Sequence, residues 1–200
     1  EGVMRGKIQG QPASFFFLGS RRGILLAMFS ERKRPFFQSA IPMELPPLPH
    51  EETDSFLSGL FSKAGKQCSD ELCAAISSKV QRHPYYVQRL AREVYDLGGE
   101  TILAEDVDRA VKNVVDTERY AFEAVLSRLT VSQVRVIRTL AHFPVKEMLS
   151  GDFIGRCGLP PSSVQFARNR LKTEDLIEQE KESRIWKVVD PVFAMWLNQL

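Results

Sequence analysis

Few residues in this 200-residue chain have the types and spacing that chemistry needs, and that scarcity excludes most reactions. His50, His83 and His142 are scattered, and with Cys68, Cys73 and Cys157 they make no CxxC or Cys/His spacing of a zinc centre. No hydroxyl or thiol stands in a nucleophile–base pattern, so neither a catalytic residue nor a metal ligand is assigned. Three cysteines cannot all pair, and Cys68 and Cys73 read as core or surface thiols, which fits a reduced, cytoplasmic setting. The string G-x-x-x-x-G-K-[ST] is absent, and no apolar strand ends in an acidic pair. The backbone cradle and lysine for phosphates, and the carboxylates for Mg²⁺, are therefore missing, and this chain alone is not expected to hydrolyse ATP.

What remains is a polar and basic cluster near the C-terminus: Ser162, Ser163, Gln165, Arg168, Asn169 and Lys172, followed by Lys181, Arg184 and Lys187. Gln, Asn and Arg can hydrogen-bond base edges and Ser can bind phosphate, which is the chemistry of duplex recognition. Glu174, Asp175, Glu178, Glu180 and Glu182 crowd the same region and would repel a polyanion. Duplex DNA and a protein partner both stay open as occupants of this surface.

The elements that must position this cluster have a recognisable order. Thr130 reads as an N-cap, followed by a helix with Val134, Ile137, Leu140 and Ala141 on its apolar face. Phe153, Ile154 and Cys157 give a short second helix stopped by Gly158. Residues 160–163, PPSS, start a third helix with Val164, Ala167, Leu171 and Leu176 facing inward. Residues 177–189 then carry β-favouring ends around a polar centre, a hairpin with its turn near Lys181 to Ser183. Helix, short helix, helix, hairpin is the winged form of the helix-turn-helix. Asp190-Pro191 breaks the second strand, a terminal apolar helix follows, and Trp186 and Trp196 are expected to anchor wing and helix.

Upstream, residues 51–116 read as a helical bundle. Phe56, Leu57, Leu60 and Phe61 recur at helical spacing, Ser69 caps a helix carrying Leu72, Ile76 and Val80, and Pro84 sits at a helix N1 position behind His83. Tyr86, Val87, Leu90 and Val94 follow, Gly98-Gly99 ends that helix, and Glu105-Asp106 opens the next. Before the proline-rich stretch at 46–49 the pattern differs. Ala13 to Leu18 is an almost wholly apolar run ending in Gly-Ser, which fits a strand buried on both faces; Ile24 to Phe29 reads as helix, and Phe36 to Leu45 as room for a second short strand. No apolar run approaches the ~18 residues of a membrane span. The net charge of +2 hides +4 over residues 1–50, −4 over 51–116 and +2 over 117–200, which suggests three parts.

Three blocks together identify a family resemblance: SFFFLGSRR at 14–22 with MFS at 28–30 and RPFF at 34–37; RHPYYVQ at 82–88; and VDPVFAMWL at 189–197. In series they resemble the C-terminal half of archaeal and bacterial AAA+ ATPases related to origin-recognition and STAND ATPases, over nearly the whole chain. The resemblance implies a mainly α architecture in three sections: a C-terminal remnant of a P-loop α/β sheet at 1–49, a helical lid at 50–116, and a winged helix-turn-helix at 117–200. It makes residues 15–18 the sensor 1 strand and places Ser20 and Arg21 near the nucleotide γ-phosphate, where a guanidinium can stabilise transferring charge. It makes Arg82, His83 and Pro84 the segment that meets the nucleotide at the start of a lid helix. Arg82 departs from the family pattern, which carries Gly there, and either contacts phosphate or crowds its approach.

By the same resemblance, a chain opening on Glu1-Gly2 reads as a fragment, whose parent binds ATP or ADP with Mg²⁺ through a P-loop portion upstream. That portion is then the first partner, with a second copy of the chain another, and no cofactor is expected for this piece alone. Arg32-Lys33-Arg34 reads as a solvated loop, or as a finger toward a neighbouring subunit. The implied role is coupling of nucleotide state to the winged helix; the alternative is a free-standing winged-helix DNA-binding regulator.

Overall fold

Capping and periodicity set most of the helices in the computed structural model, which describes residues 1–19, 22–43 and 45–200, with the Arg22 side chain excepted. Helix α3 (His50–Lys63) and helix α4 (Asp70–Lys79) form the first pair of the middle section. The Ser69 hydroxyl accepts from the Leu72 amide at 3.3 Å, as the sequence implied, and satisfies one orphan donor of α4. Ser77, fully buried on α4, donates to Asp54 of α3 at 2.6 Å, so its hydroxyl is paired within the core. Helix α5 (Pro84–Leu97) starts on the expected proline and buries Tyr86, Val87, Leu90 and Val94.

Helix α6 runs unbroken from Ala104 to Leu126. Its first half buries Val107, Ala110, Val114 and Val115 among the middle helices, and its second half buries Phe122 among the C-terminal ones. One helix therefore serves both sections, and a single apolar core extends from Leu57 to Leu197.

The C-terminal section is a winged helix. Helix α7 (Val131–His142) begins at a reciprocal cap, in which Thr130 accepts from the Gln133 amide and Gln133 accepts from the Thr130 amide. Helix α8 (Gly151–Cys157) stops at Gly158, whose φ of 60° is the left-handed conformation that glycine adopts without strain. Helix α9 (Pro161–Thr173) leads to strands β1 (Ile177–Gln179) and β2 (Trp186–Val188), an antiparallel hairpin with Ile177 opposite Val188. The Trp186 amide also donates to the Val145 carbonyl at 2.7 Å, which ties the wing to the α7–α8 connection. Helix α10 (Pro191–Leu197) closes the core with Trp196.

Residues before 48 depart from expectation. Neither residues 15–18 nor the described residues of 36–45 form a strand, and the wing is the one sheet among the described residues. Phe16 and Leu18 are 88% and 89% exposed, the opposite of a strand buried on both faces. The physical reason is pairing: an apolar run becomes a strand only where neighbouring backbones take its amides and carbonyls, and the described residues offer none. Instead, Phe17, Phe29 and Phe36 make a small cluster with ring centroids 5.1–5.8 Å apart, of which only Phe36 is buried. Helix α1 (Gly2–Ile8) has no buried residue and no apolar stripe to announce it, whereas α2 (Arg22–Ser30) lies where Ile24 to Phe29 read as helix. Val3, Ile24, Ile41, Met43 and Leu45 add to an apolar surface that none of the described residues covers. Among the described residues no helix is long and apolar enough to cross a membrane, and no cluster of His, Cys, Asp and Glu could hold a metal ion.

Candidate functional site

Two surfaces gather the residues singled out in the sequence. Ser20 and Arg21 lie outside the described residues. The second group, Arg82, His83 and Pro84, sits at the turn between α4 and α5. Gln81 and Arg82 have φ of 51° and 54°, two consecutive non-glycine residues in the left-handed region. Only glycine takes that conformation at no steric cost, so Gln81 and Arg82 hold it under strain. The turn is nonetheless well tied. The Arg82 amide donates to the Ser77 carbonyl at 2.9 Å, and the Arg82 carbonyl accepts from the Leu48 amide at 3.1 Å. The Arg82 guanidinium lies 2.5 Å from the His50 ring at the start of α3, so it is turned along the surface. Replacing Arg82 by Gly is expected to stabilise the chain by up to about 1 kcal/mol, because the exposed contact to His50 is worth less than the strain released. A raised urea midpoint is the readout; a lowered one would show that the His50 contact wins.

His83 makes no side-chain cap, and Pro84 has no amide to offer, so the first turn of α5 presents its Tyr85 and Tyr86 amides without a capping side chain. A 14-residue helix with such a start suits an anionic group. The phosphate cradle, its lysine and the Mg²⁺ carboxylates are not in this sequence. Directly behind this turn, the buried Tyr86 donates its hydroxyl to Asp190 at 2.7 Å. Asp190 also accepts from the Val192 and Phe193 amides and so caps α10. Burial first, and then the Asp190 hydrogen bond, push the Tyr86 phenol well above its ordinary value and keep it a donor. The α5 start is therefore wired to the winged helix by one side-chain bond.

The third group lies on α9 and the wing. Ser162, Gln165, Asn169 and Lys172 are exposed and recur every three or four residues, which puts them on one face of α9. Ser163 is half-buried beside them. Arg168 and Lys172 approach the Trp186 ring at 5.8 and 5.9 Å, so the two cations lean on the wing. Arg184 is exposed at the wing tip with φ of 61°, and Lys187 pairs with Glu180 at 3.1 Å. Arg170 pairs with Glu174. Arg170 and Lys187 are thus matched by carboxylates within the chain. Sequence reasoning missed Phe166, 68% exposed on the same helix between Gln165 and Ala167. Its position three residues before Asn169 and four before Arg170 was the available signal.

Sequence reasoning also missed a groove of about 900 Å³ between α3 and α5, lined by Leu48, Phe56, Leu60, Val87, Ala91 and Tyr95. Phe56, Leu57, Leu60 and Phe61 recur at helical spacing, which places them along one side of α3 without saying what covers each. Only Leu57 and Phe61 face the core; Phe56 and Leu60 are exposed at the groove. Arg34 in the RKR loop is engaged by Glu31 and Glu1 at 2.8 and 2.7 Å, which leaves it a structural contact in this chain.

Residues 120–199, the C-terminal section, match a family described as a "probable winged helix domain". The whole fold is similar to that of the Walker-type ATPase PABY2304 of Pyrococcus abyssi, with a TM-score of 0.67 and 18% identity, over 90% of this chain and 51% of that one. The chain thus spans about half the length of that ATPase. No curated protein matches it.

Proposed function

We propose that this chain is the regulatory C-terminal part of an ATP-binding AAA+ ATPase, and that its winged helix carries nucleotide state to a protein partner. The observation that carries the reading is the shared fold over nearly all of this chain and half of a Walker-type ATPase. The uncovered apolar surface of residues 3–45 supports it, since a P-loop α/β core supplied by the rest of the parent would cover that surface and give residues 15–18 their missing strand partners. A bound nucleotide supplies the phosphate charge to which this assembly responds. Ser20 and Arg21 take the sensor position on this reading, and His83 with the first turn of α5 takes the lid position.

Two connections suit the coupling. The Gly23 amide, close after Arg21 in sequence, donates to Asp175 at the end of α9 at 3.4 Å. Tyr86, close after His83, bonds Asp190. Both phosphate-side segments therefore reach the winged helix through one carboxylate each. The test is ATP turnover by the full parent protein: Arg21→Ala should lower it by about 10²–10³-fold, as loss of one charge-stabilising group does. Turnover unchanged by Arg21→Ala sinks the assignment.

Phe166 favours a protein partner, because an exposed aromatic in the middle of α9 and a wing with internally paired charge suit a protein surface better than phosphates. The face of Ser162, Gln165, Asn169 and Lys172 carries the second reading, a free-standing duplex-binding regulator. Salt-dependent duplex binding by this chain, abolished in Arg168→Glu/Lys172→Glu, would establish that second reading in place of the first.

A further inference from the structure

The α3–α4 connection brings two thiols together at a place where a covalent bond would matter. Cys68 precedes the N-cap Ser69, and Cys73 is the fourth residue of α4. These are the two positions that close on one another when a hydrophobic pair fixes the entry of a chain into a helix. Here both are cysteine, and the Cys73 thiol donates to the Cys68 sulfur at 3.5 Å. Both are free thiols; Cys73 is fully buried and Cys68 is half-buried.

The segment just before Cys68 is a strap across the lid. The Gln67 amide donates to the Glu100 carbonyl at 2.7 Å, and the Ile102 amide donates to the Gln67 carbonyl at 2.8 Å. Lys66 donates to the Tyr95 and Gly98 carbonyls at 2.5 Å each. The α3–α4 connection is thereby tied to the α5–α6 connection. At its other end the strap enters α4 through Cys68 and Cys73.

We propose that Cys68 and Cys73 are an oxidative modification site, closed to a reversible intramolecular disulfide by a hydroperoxide, that covalently staples the entry of α4 to the strap. The order of events follows exposure. The Cys68 thiolate attacks the peroxide and the O–O bond breaks; one oxygen stays on sulfur as the sulfenic acid, and the other leaves as alcohol or water with the thiol proton. The Cys73 sulfur then attacks the Cys68 sulfur; the S–O bond breaks, and the departing hydroxide takes the Cys73 proton as water. Two thiols are oxidised and one hydroperoxide is reduced, with nothing left over. Burial pushes the Cys73 thiol up to about 12 and raises Cys68 as well, so little thiolate is present at neutral pH. The pair is therefore slow to oxidise and answers sustained peroxide.

The sequence offers a direct test. Lys66 and Lys79 bound a tryptic peptide, residues 67–79, that holds both cysteines and no other cleavage site, while Cys157 falls in a separate peptide. The reduced, folded 200-residue chain is treated with hydrogen peroxide, quenched, alkylated and digested. The expected product is peptide 67–79 lacking the mass of two hydrogens and carrying no alkyl group, restored by dithiothreitol, with Cys157 alkylated throughout. Amide exchange over residues 66–73 should slow by about tenfold or more in the oxidised chain, as local opening is held shut. Cys68→Ser should abolish the mass loss and the slowing together. Peptide 67–79 recovered with both thiols alkylated, a sulfinic acid stopping at Cys68, a disulfide between chains, or an oxidised pair with unchanged exchange would each overturn the proposal.

Discussion

Phe122→Ala is expected to cost the folded chain about 3–5 kcal/mol, because it empties the joint between α6 and the C-terminal helix. Phe122 is 6% exposed, and its ring lies 5.1 Å from Phe193 and 5.8 Å from Trp196, themselves stacked 6.1 Å apart. Truncation removes the apolar area of one ring and the aromatic contacts to two others, and leaves a hole whose walls are held by α7 and α10. Urea unfolding followed by tryptophan fluorescence reads the loss directly. Trp186 and Trp196 are the chain's only tryptophans and both lie in the winged helix. Phe122→Leu keeps most of the volume and should cost less than about 1.5 kcal/mol. A Phe122→Ala variant that unfolds within about 1 kcal/mol of the parent would mean that α10 repacks onto α7 without α6.

The same cluster explains why the C-terminal section was legible in the sequence and the N-terminal section was not. From Ser69 onward five helices carry local signals: an N-cap hydroxyl at Ser69 or Thr130, a proline at Pro84 or Pro161, a left-handed glycine at Gly158. Those signals act within a few residues, so they survive whatever surrounds the chain. The run at 15–18 is different in kind. Its apolar side chains announce burial, but burial and strand pairing both depend on segments far away in sequence, and these residues instead leave Phe16 and Leu18 in solvent. The exposed face of α9 was legible because side-chain direction follows helical period. The strain at Arg82 was legible only as a departure from a glycine in a resembling family, since nothing in the string QRHP itself requires positive φ. The groove at Phe56 and Leu60 was hidden because periodicity tells which residues share a face and not whether a neighbour covers it.

Thr117→Pro is expected to separate the middle helices from the winged helix, at a cost of about 3 kcal/mol or more in the middle of α6. Thr117 is exposed, and its hydroxyl donates to the Asn113 carbonyl at 2.7 Å. It lies between Val115, the last residue that α6 buries among the middle helices, and Phe122, which it buries against α10. Proline there removes the amide that bonds Asn113 and drives its ring against that carbonyl, while every apolar contact on either side keeps its own residues. The expected result is a kink that uncouples two packed units, seen as two urea transitions: one followed by tryptophan fluorescence in the winged helix, the other by amide exchange over α4 and α5. Thr117→Ala is the control, because it deletes only an exposed hydroxyl and should stay within about 0.5 kcal/mol of the parent. If Thr117→Pro keeps one coincident transition, the two sections are joined by the Tyr86–Asp190 bond and the shared core more than by the helix. The coupling proposed here would then run through that carboxylate, and Tyr86→Phe rather than Thr117→Pro would be the substitution that divides the molecule.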